Sequence, residues 1–559
     1  MTNSQIADQF SLLAKLMEIH GENSFKAKSY SIVSYNIDQL QTELRDMDEE
    51  KIFSQHGIGE STGKKIIELL KDGKLKLLDE IINKTPPGVM EMLKIKGMGP
   101  KKISTIWKEM EIENIGELLY ACHENRLMLY KNFGKKTQEK IIEAIEFHEA
   151  QKGNFLFAQV EVLGQELLAY LQKILETNSI QITGEYARHS EIISSLEYVL
   201  AIPQKIILNV LSNYNEFTFD ETNKDGDFLL YHYDNKIALK LFSVDQSHLW
   251  STTFYHSGSS EFTHEFFNRY RKINLKQATS EENIFEILQI HSIPAFLRET
   301  TEIIDLAIKK PIPEVILPAD VKGIIHCHSN WSDGSNTIEQ LATAAIDAGY
   351  EYLVMSDHSK SAFYAKGLFE DRIKAQHELI NTLNDTLKPF KIFKSIESDI
   401  LNDGSLDYSN GILSTFDLVI ASVHSNLKMT EEKAMQRLLT AIGNPYTTIL
   451  GHMTGRLLLS RKGYPLDHEK IIDACVANKV VIELNAHPRR LDMRWQWLTY
   501  ALEKGAIISI DPDAHSTGEF NNIRYGVLAA QKGMVTKDKN LSSFSLPEFE
   551  NFLINNRKA

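Results

Sequence analysis

The chain has 559 residues, 43% of them hydrophobic and 24% charged, with a net charge of −14, which is ordinary globular composition and enough length for roughly three or four domains. The acidic balance excludes a protein that coats nucleic acid non-specifically, though it permits a local basic face. Three scattered cysteines without a CxxC pair exclude a disulfide framework, the opening MTNSQIADQF lacks a secretory n-region and h-region, and no apolar run nears a membrane span, so a cytoplasmic protein is expected.

Residues 1 to about 150 read as helical, with apolar residues at helical spacing in IADQFSLLAKLMEIH and KIIELLKDGKLKLLDEII. The stretch GIGESTGKK (57–65) recurs as GMGPKK (97–102) and more loosely as NFGKK (132–136). A helix, a tight Gly-x-Gly turn and a second helix present backbone N–H groups to a phosphate. Lys64, Lys65, Lys101 and Lys102 add charge without base preference. With Gly57, Gly59, Gly97 and Gly99 they resemble helix-hairpin-helix DNA-binding motifs.

Residues 155–245 read as α+β, with a helix near VEVLGQELLAYLQKIL and strands such as SIQITG, DFLLYHYD and KIALKLFSV. Residues 246–310 return to helix, and KPIPEVILPAD (310–320) has the proline content of a linker. From 323 onward short apolar strands alternate with helices: GIIHCH, YEYLVMSDH, FKIFKSIESDI, FDLVIASVHS, YTTILGH, KVVIELNAH and AIISIDPDAH. That is the pattern of a parallel sheet or barrel, whose active site lies where the strands end.

Polar residues gather at those ends. Strand alternation puts His326 and His328 on one face, with Cys327 on the other. Asp333, His358, Glu397, His424, His452, Asp513 and His515 follow. Imidazoles mixed with carboxylates suit Zn²⁺, Mn²⁺ or Fe²⁺ better than Mg²⁺ or Ca²⁺. Three ions fit this set if a carboxylate such as Glu397 bridges two of them. Closely spaced divalent ions favour phosphoester hydrolysis, because they generate a hydroxide nucleophile and neutralise charge on the phosphorus oxygens.

HCHSNWSDG, MSDHSKS, ASVHS, ILGHMTGR, ELNAHPRRLD and DPDAHS resemble the polymerase-and-histidinol-phosphatase (PHP) domain, in the form carried by bacterial family X DNA polymerases. The resemblance implies a distorted (β/α)7 barrel with a trinuclear site. It implies Mn²⁺-supported 3′–5′ exonuclease activity, and often cleavage at abasic sites or removal of 3′ phosphates. It makes the nine residues from His326 to His515 the ligands, with Lys360, Arg456, His487 and Arg490 as candidate phosphate contacts.

The front half resembles the polymerase-beta-like core of the same family, and its expected divisions are these. A lyase-like helical domain spans 1–80, fingers 81–150, palm 151–245 and thumb 246–310, with a linker at 311–322 before the PHP domain at 323–559. HGENSFKAKSYSIVS (20–34) is similar to the family's first-domain motif, which sets Lys26 and Tyr30 at phosphate-contact positions and makes Lys65 the candidate Schiff-base lysine. The palm departs from the pattern. In GEYARHSEIISSLEYVL (184–200) Glu185 stands where the family has serine, the Asp-x-Asp positions fall on Ser195 and Glu197, and the third aspartate falls on Ala238. Mg²⁺ in the palm is therefore not expected; Asp225 and Asp227 read as a hairpin.

The expected function is DNA repair by a monomeric chain that meets gapped, nicked or damaged DNA ends and hydrolyses them without polymerising. An active gap-filling polymerase is the alternative, and a non-catalytic DNA-binding module and a small-molecule phosphatase are the other readings.

Overall fold

The computed structural model describes residues 1–40, 42–131, 133–150, 153–223, 226–234 and 236–556; Asn132 and Asp225 lie outside these. The chain divides into two units by contact: Met1–Cys122 with Tyr130–His148, and His123–Leu129 with Glu149–Ala559.

The first unit is helical. In α1 (Asn3–His20) Thr2 and Gln5 form a reciprocal capping box, and Gly21, at φ 73°, ends the helix in the left-handed region. Ile6, Phe10, Leu13 and Met17 form its buried stripe, which packs on α2 (Ser24–Asp38). The two glycine motifs are left-handed turns, with Gly57 at φ 80° and Gly97 at φ 86°, and each leads into a helix: α3 (Glu60–Asp72) and α4 (Pro100–Lys108). A Cβ on Gly57 would also meet the Asn36 side chain at 2.1 Å. Gly59 and Gly99 occupy the N-caps without a side-chain capping bond.

The second unit contains a five-stranded sheet in the order β1 (Ile180–Thr183), β2 (Ser195–Leu200), β5 (Ile237–Ser243), β4 (Leu229–Tyr233), β3 (Phe217–Phe219). Only β2 and β5 pair in parallel. Helices between 249 and 309 bury an aromatic cluster of Phe254, Phe262, Phe266 and Phe285. Arg298 is sealed within it and paired to Glu281 at 2.5 Å.

Seven parallel strands follow in sequence order: β6 (Gly323–Cys327), β7 (Tyr352–Met355), β8 (Lys391–Asp399), β9 (Leu418–Ser422), β10 (Ile449–Leu450), β11 (Val481–Asn485) and β12 (Ile508–Asp511). The barrel is nearly closed: Cys327 bridges to Ala514, and the His328 N–H donates to the Ala514 carbonyl at 2.8 Å. The strands are buried on both faces, hence their unbroken apolar runs. Ile324, Leu353, Ile392, Val419 and Ile482 face the surrounding helices. Ile325, Val354, Phe393, Ile420 and Val481 face inward, where the C-terminal helix α5 (Leu546–Asn556) contributes Phe549. No helix among the described residues is long and apolar enough to cross a membrane.

His326 and His328 do face one way and Cys327 the other, as expected, but not by regular alternation: the register of β6 shifts between Ile324 and Cys327, and His326 takes a left-handed φ of 60°. Ile325 and His326 therefore both turn inward, while Cys327 joins the outer core beside Ile324.

Candidate metal centre

The carboxyl ends of β6 to β12 bring the histidines and carboxylates into one buried cluster. Four overlapping groups have ligand atoms within 4.8 Å of one another: His328, Asp333, His358 and His515; His326, His328 and Asp513; His326, Glu397 and His452; His358, Glu397 and His424. Glu397 is central. It lies 3.2 Å from His326 Nε2, 2.9 Å from His358 Nδ1, 3.1 Å from His424 Nε2 and 3.0 Å from His452 Nε2. Asp513 is 3.1 Å from His328 Nε2 and 3.4 Å from His326 Nε2, and Asp333 is 3.4 Å from His358 and 3.5 Å from His515. Metal–ligand bonds of about 2.1 Å require edges of about 3 to 3.5 Å between neighbouring ligand atoms, and these separations match.

The cluster passes a second test of fit. His326 Nε2, His328 Nδ1, Asp333 Oδ2, His358 Nδ1, Glu397 Oε2, His452 Nδ1 and His515 Nε2 are buried and form no hydrogen bond. Orphaned polar atoms on this scale are costly unless a cation receives them. Without one, the charges organise themselves. Burial opposes ionisation of Glu397, but the imidazoles of His424, His326 and His358 outweigh it and hold the carboxyl well below its usual range. Burial likewise lowers His515 and His424, yet Asp333 pushes the first up to about 10, and Glu397 with Asp399 pushes the second up to about 9. An entering cation must displace these protons, so its affinity rises with pH.

Sequence reasoning missed the supports behind the ligands. Glu483 on β11 is fully buried and accepts from His326 Nδ1 at 2.6 Å. Asn485, two residues on, donates to Glu483 at 2.9 Å and to Asp513 at 3.0 Å. Asp399 accepts from His424 Nδ1. Asp357 holds the loop before Asp333 through the Ser329 N–H and the Ser332 hydroxyl. The spacing-of-two signal existed in IESD and ELNAH, since Glu397 with Asp399, and Glu483 with Asn485, share a strand face. Such carboxylates orient imidazoles and tune their basicity. Glu483→Gln, which keeps an acceptor but loses the charge, is expected to weaken metal uptake by about 10-fold, read by competition with a chromophoric chelator.

The candidate phosphate contacts differ in where they lie. Arg490 Nε is 3.8 Å from Asp513 Oδ2. His487 is buried, and burial with the His123 imidazole holds it well below the usual range. Lys360 pairs with Glu370 at 2.7 Å. Arg456 is engaged elsewhere: its guanidinium binds Glu191 at 2.6 Å and the carbonyls of Arg490 and Leu491. In the first unit Lys64 pairs with Glu60 at 2.6 Å, Lys102 donates to the Gly97 carbonyl, and Lys65 is half-buried.

Ser195, Glu197 and Ala238, the positions expected for palm carboxylates, lie on two paired strands. In the β2–β5 register Ser195 lies opposite Ala238 and Glu197 opposite Lys240. Lys240 Nζ is 2.8 Å from Glu197, and the Ser195 hydroxyl donates to the same oxygen at 3.0 Å. Glu185 accepts from the Ser194 N–H and hydroxyl. Asp227 is exposed.

Comparison with known proteins adds relatives to this geometry. Residues 1–75 match the model of a helix-hairpin-helix domain, and residues 89–146 that of a SAM-like helix-hairpin-helix tandem. A DNA polymerase/3′-5′ exonuclease PolX of Bacillus subtilis (strain 168) is 31% identical over 564 aligned positions, covering 97% of this chain and 98% of the relative. A probable phosphatase of Thermoanaerobacter sp. (strain X514) is 26% identical over 224 positions, covering 38% of this chain and 86% of the relative. Another, from Acetivibrio thermocellus, is 26% identical over 166 positions, or 29% and 64%.

Proposed function

Because the chain belongs to the PolX family of DNA polymerase/3′-5′ exonucleases, we propose that it is a DNA-repair phosphoesterase whose barrel hydrolyses DNA ends and whose palm no longer polymerises. The observation that carries this reading is the buried cluster of imidazole and carboxylate atoms, many without hydrogen bonds. His326, His328, Asp333, His358, Glu397, His424, His452, Asp513 and His515 would hold the ions, with Glu397 at the centre of the set. Mn²⁺ is the proposed occupant, with Zn²⁺ or Fe²⁺ as substitutes the same donor set accepts. When bound, such ions supply a hydroxide nucleophile near neutral pH and neutralise charge on the phosphorus oxygens.

The chain's own residues do the rest. Glu483 and Asp399 fix the rings of His326 and His424. Arg490, beside Asp513, supplies a planar fork for a phosphodiester. The barrel mouth keeps the reacting phosphate away from bulk solvent, which strengthens each of these interactions. The substrates are DNA ends at gaps, nicks or damage, with 3′ phosphates and abasic sites as further targets, and the protein acts in the cytoplasm as a monomer.

The helical unit delivers the DNA. The uncapped helix starts after Gly59 and Gly99, with Lys64, Lys65, Lys101 and Lys102 nearby, suit phosphate binding without base preference. Replacing these four lysines by alanine is expected to weaken duplex binding and to flatten its dependence on log salt by up to about 0.9 per lost contact. Fluorescence anisotropy across a salt series reads both effects. Lys65 is also the candidate lyase nucleophile, which borohydride trapping on an abasic oligonucleotide tests.

The name of the Bacillus relative favours polymerisation, while the palm contents oppose it: a hydroxyl, a methyl group and a carboxylate paired to an ammonium stand at the three acidic positions. End-labelled DNA, digested with and without Mn²⁺ beside a primer-extension reaction on the same preparation, tests the whole reading. Metal-dependent digestion without extension supports it; extension without digestion reverses it.

A further inference from the structure

Apart from the partly exposed His424, the proposed ligands are nearly sealed from solvent, with Asp333 at 5% exposure, His358 and His515 at 3%, and His326 and His328 at 0%. A nuclease must admit a DNA phosphate to such a place. One segment outside the barrel sequence lies against this region. Residues His123–Leu129 belong to the second unit, and the chain returns to the first at Tyr130. Asn125 Nδ2 donates to the Asp333 carbonyl at 3.4 Å and to the Ser335 hydroxyl at 2.9 Å. The segment is thus tied to the loop that carries a proposed ligand.

Its charged side chains have an unusual arrangement. Glu124 is 6% exposed and lies between two guanidinium groups. Its Oε2 is 3.3 Å from Arg126 Nη1, and its Oε1 is 3.8 Å from Arg490 Nη2. Arg490 in turn is 3.8 Å from Asp513. Arg126 lies over the Tyr364 ring at 4.2 Å, and its Nε is buried without a hydrogen-bond partner. The Asp333 carboxylate is near enough to help hold the guanidinium charged. Two planar forks converging on one buried carboxylate form a site for a single oxyanion. A phosphodiester presents the same pair of oxygens to the same donors.

We propose that Arg126 and Arg490 form a phosphodiester-binding cradle beside the metal cluster, and that Glu124 fills this cradle in the free protein as an internal stand-in for a DNA phosphate. Arg126 is thereby a substrate-binding residue supplied from outside the barrel. DNA enters by displacing the Glu124 carboxylate, so a strand with a phosphate next to the reacting one competes effectively and a lone phosphate ester does not. This inference rests on the phosphoesterase reading of the barrel, and binding without turnover tests it separately.

The probe is a phosphorothioate trithymidylate with a 5′ fluorescein, bound to the full chain in Mn²⁺ and followed by anisotropy. Glu124→Gln, nearly isosteric, is expected to tighten binding by about fivefold. Arg126→Ala is expected to weaken it by about tenfold or more, and Arg126→Lys by less, because it keeps the charge and loses the fork. Thermal melts check that each variant is folded; should Arg126→Ala melt early, Glu124→Gln and Arg126→Lys carry the decision. Unchanged or weaker binding by Glu124→Gln overturns the proposal, as does Arg126→Ala or Arg126→Lys binding as wild type does. On bis-p-nitrophenyl phosphate, which carries one phosphorus, a loss by the Arg126 variants as large as their loss of trinucleotide binding would assign Arg126 a merely structural role and overturn the proposal. An inactive wild type with this binding pattern would discard hydrolysis while keeping the cradle; an active one with unmoved binding would do the reverse.

Discussion

His326→Ala combined with His328→Ala is expected to lower Mn²⁺-dependent release of nucleotides from end-labelled DNA by about 10³-fold or more, a loss of several kcal/mol of transition-state stabilisation. Each imidazole serves two of the four ligand groups, and both face Asp513 at 3.1 to 3.4 Å. Their joint removal therefore strips donors from three groups at once. It also leaves buried carboxylates facing one another, which no ordinary side-chain shift relieves. Wild-type protein treated with chelator should lose activity and regain it with Mn²⁺, whereas the double variant should stay inactive. Far-UV circular dichroism and a melt separate loss of the site from loss of the fold. Hydrolysis within about tenfold of wild type in a folded double variant would remove the barrel from the chemistry.

Primer extension by the native chain is expected to fall below detection in Mg²⁺ and in Mn²⁺, at least about 10⁴-fold under a palm that holds its ions. The paired Mg²⁺ ions of nucleotidyl transfer need oxygen ligands held close together. At the corresponding positions Ser195 and Ala238 offer no carboxylate, and Glu197 is already neutralised by Lys240 at 2.8 Å. Lys240→Ala would free Glu197 yet leave the other two positions empty of charge, so it is not expected to restore extension. Robust extension by the native protein on a gapped template would show that carboxylates from elsewhere complete the site.

The clustering of the candidate ligands was legible because each strand end announces itself: an apolar run stops at a histidine or carboxylate, as in ASVHS, ILGHM and DPDAHS. Their convergence follows from barrel geometry, which gathers successive strand ends at one mouth. The turn at His326 was not legible, because alternation assumes regular backbone and that residue lies at φ 60°. Glu483 and Asp399 were overlooked although their spacing was visible, since an acidic residue on a strand does not reveal which imidazole it faces. The Glu124–Arg490 contact could not be read at all: nothing local to residues 123–129 indicates a partner so far along the chain. In the five-stranded sheet, the sequence around Lys240 gave no hint that this residue would lie across from Glu197.

The seam at Cys327 and Ala514 joins the first strand of the barrel to the end of the last. His326 and His328 stand on one side of it, Asp513 and His515 on the other. The cluster is therefore complete only when the last strand has docked against the first. Heat and denaturant should silence cutting over the interval in which the seam parts, so loss of digestion becomes a gauge of whether the barrel is shut.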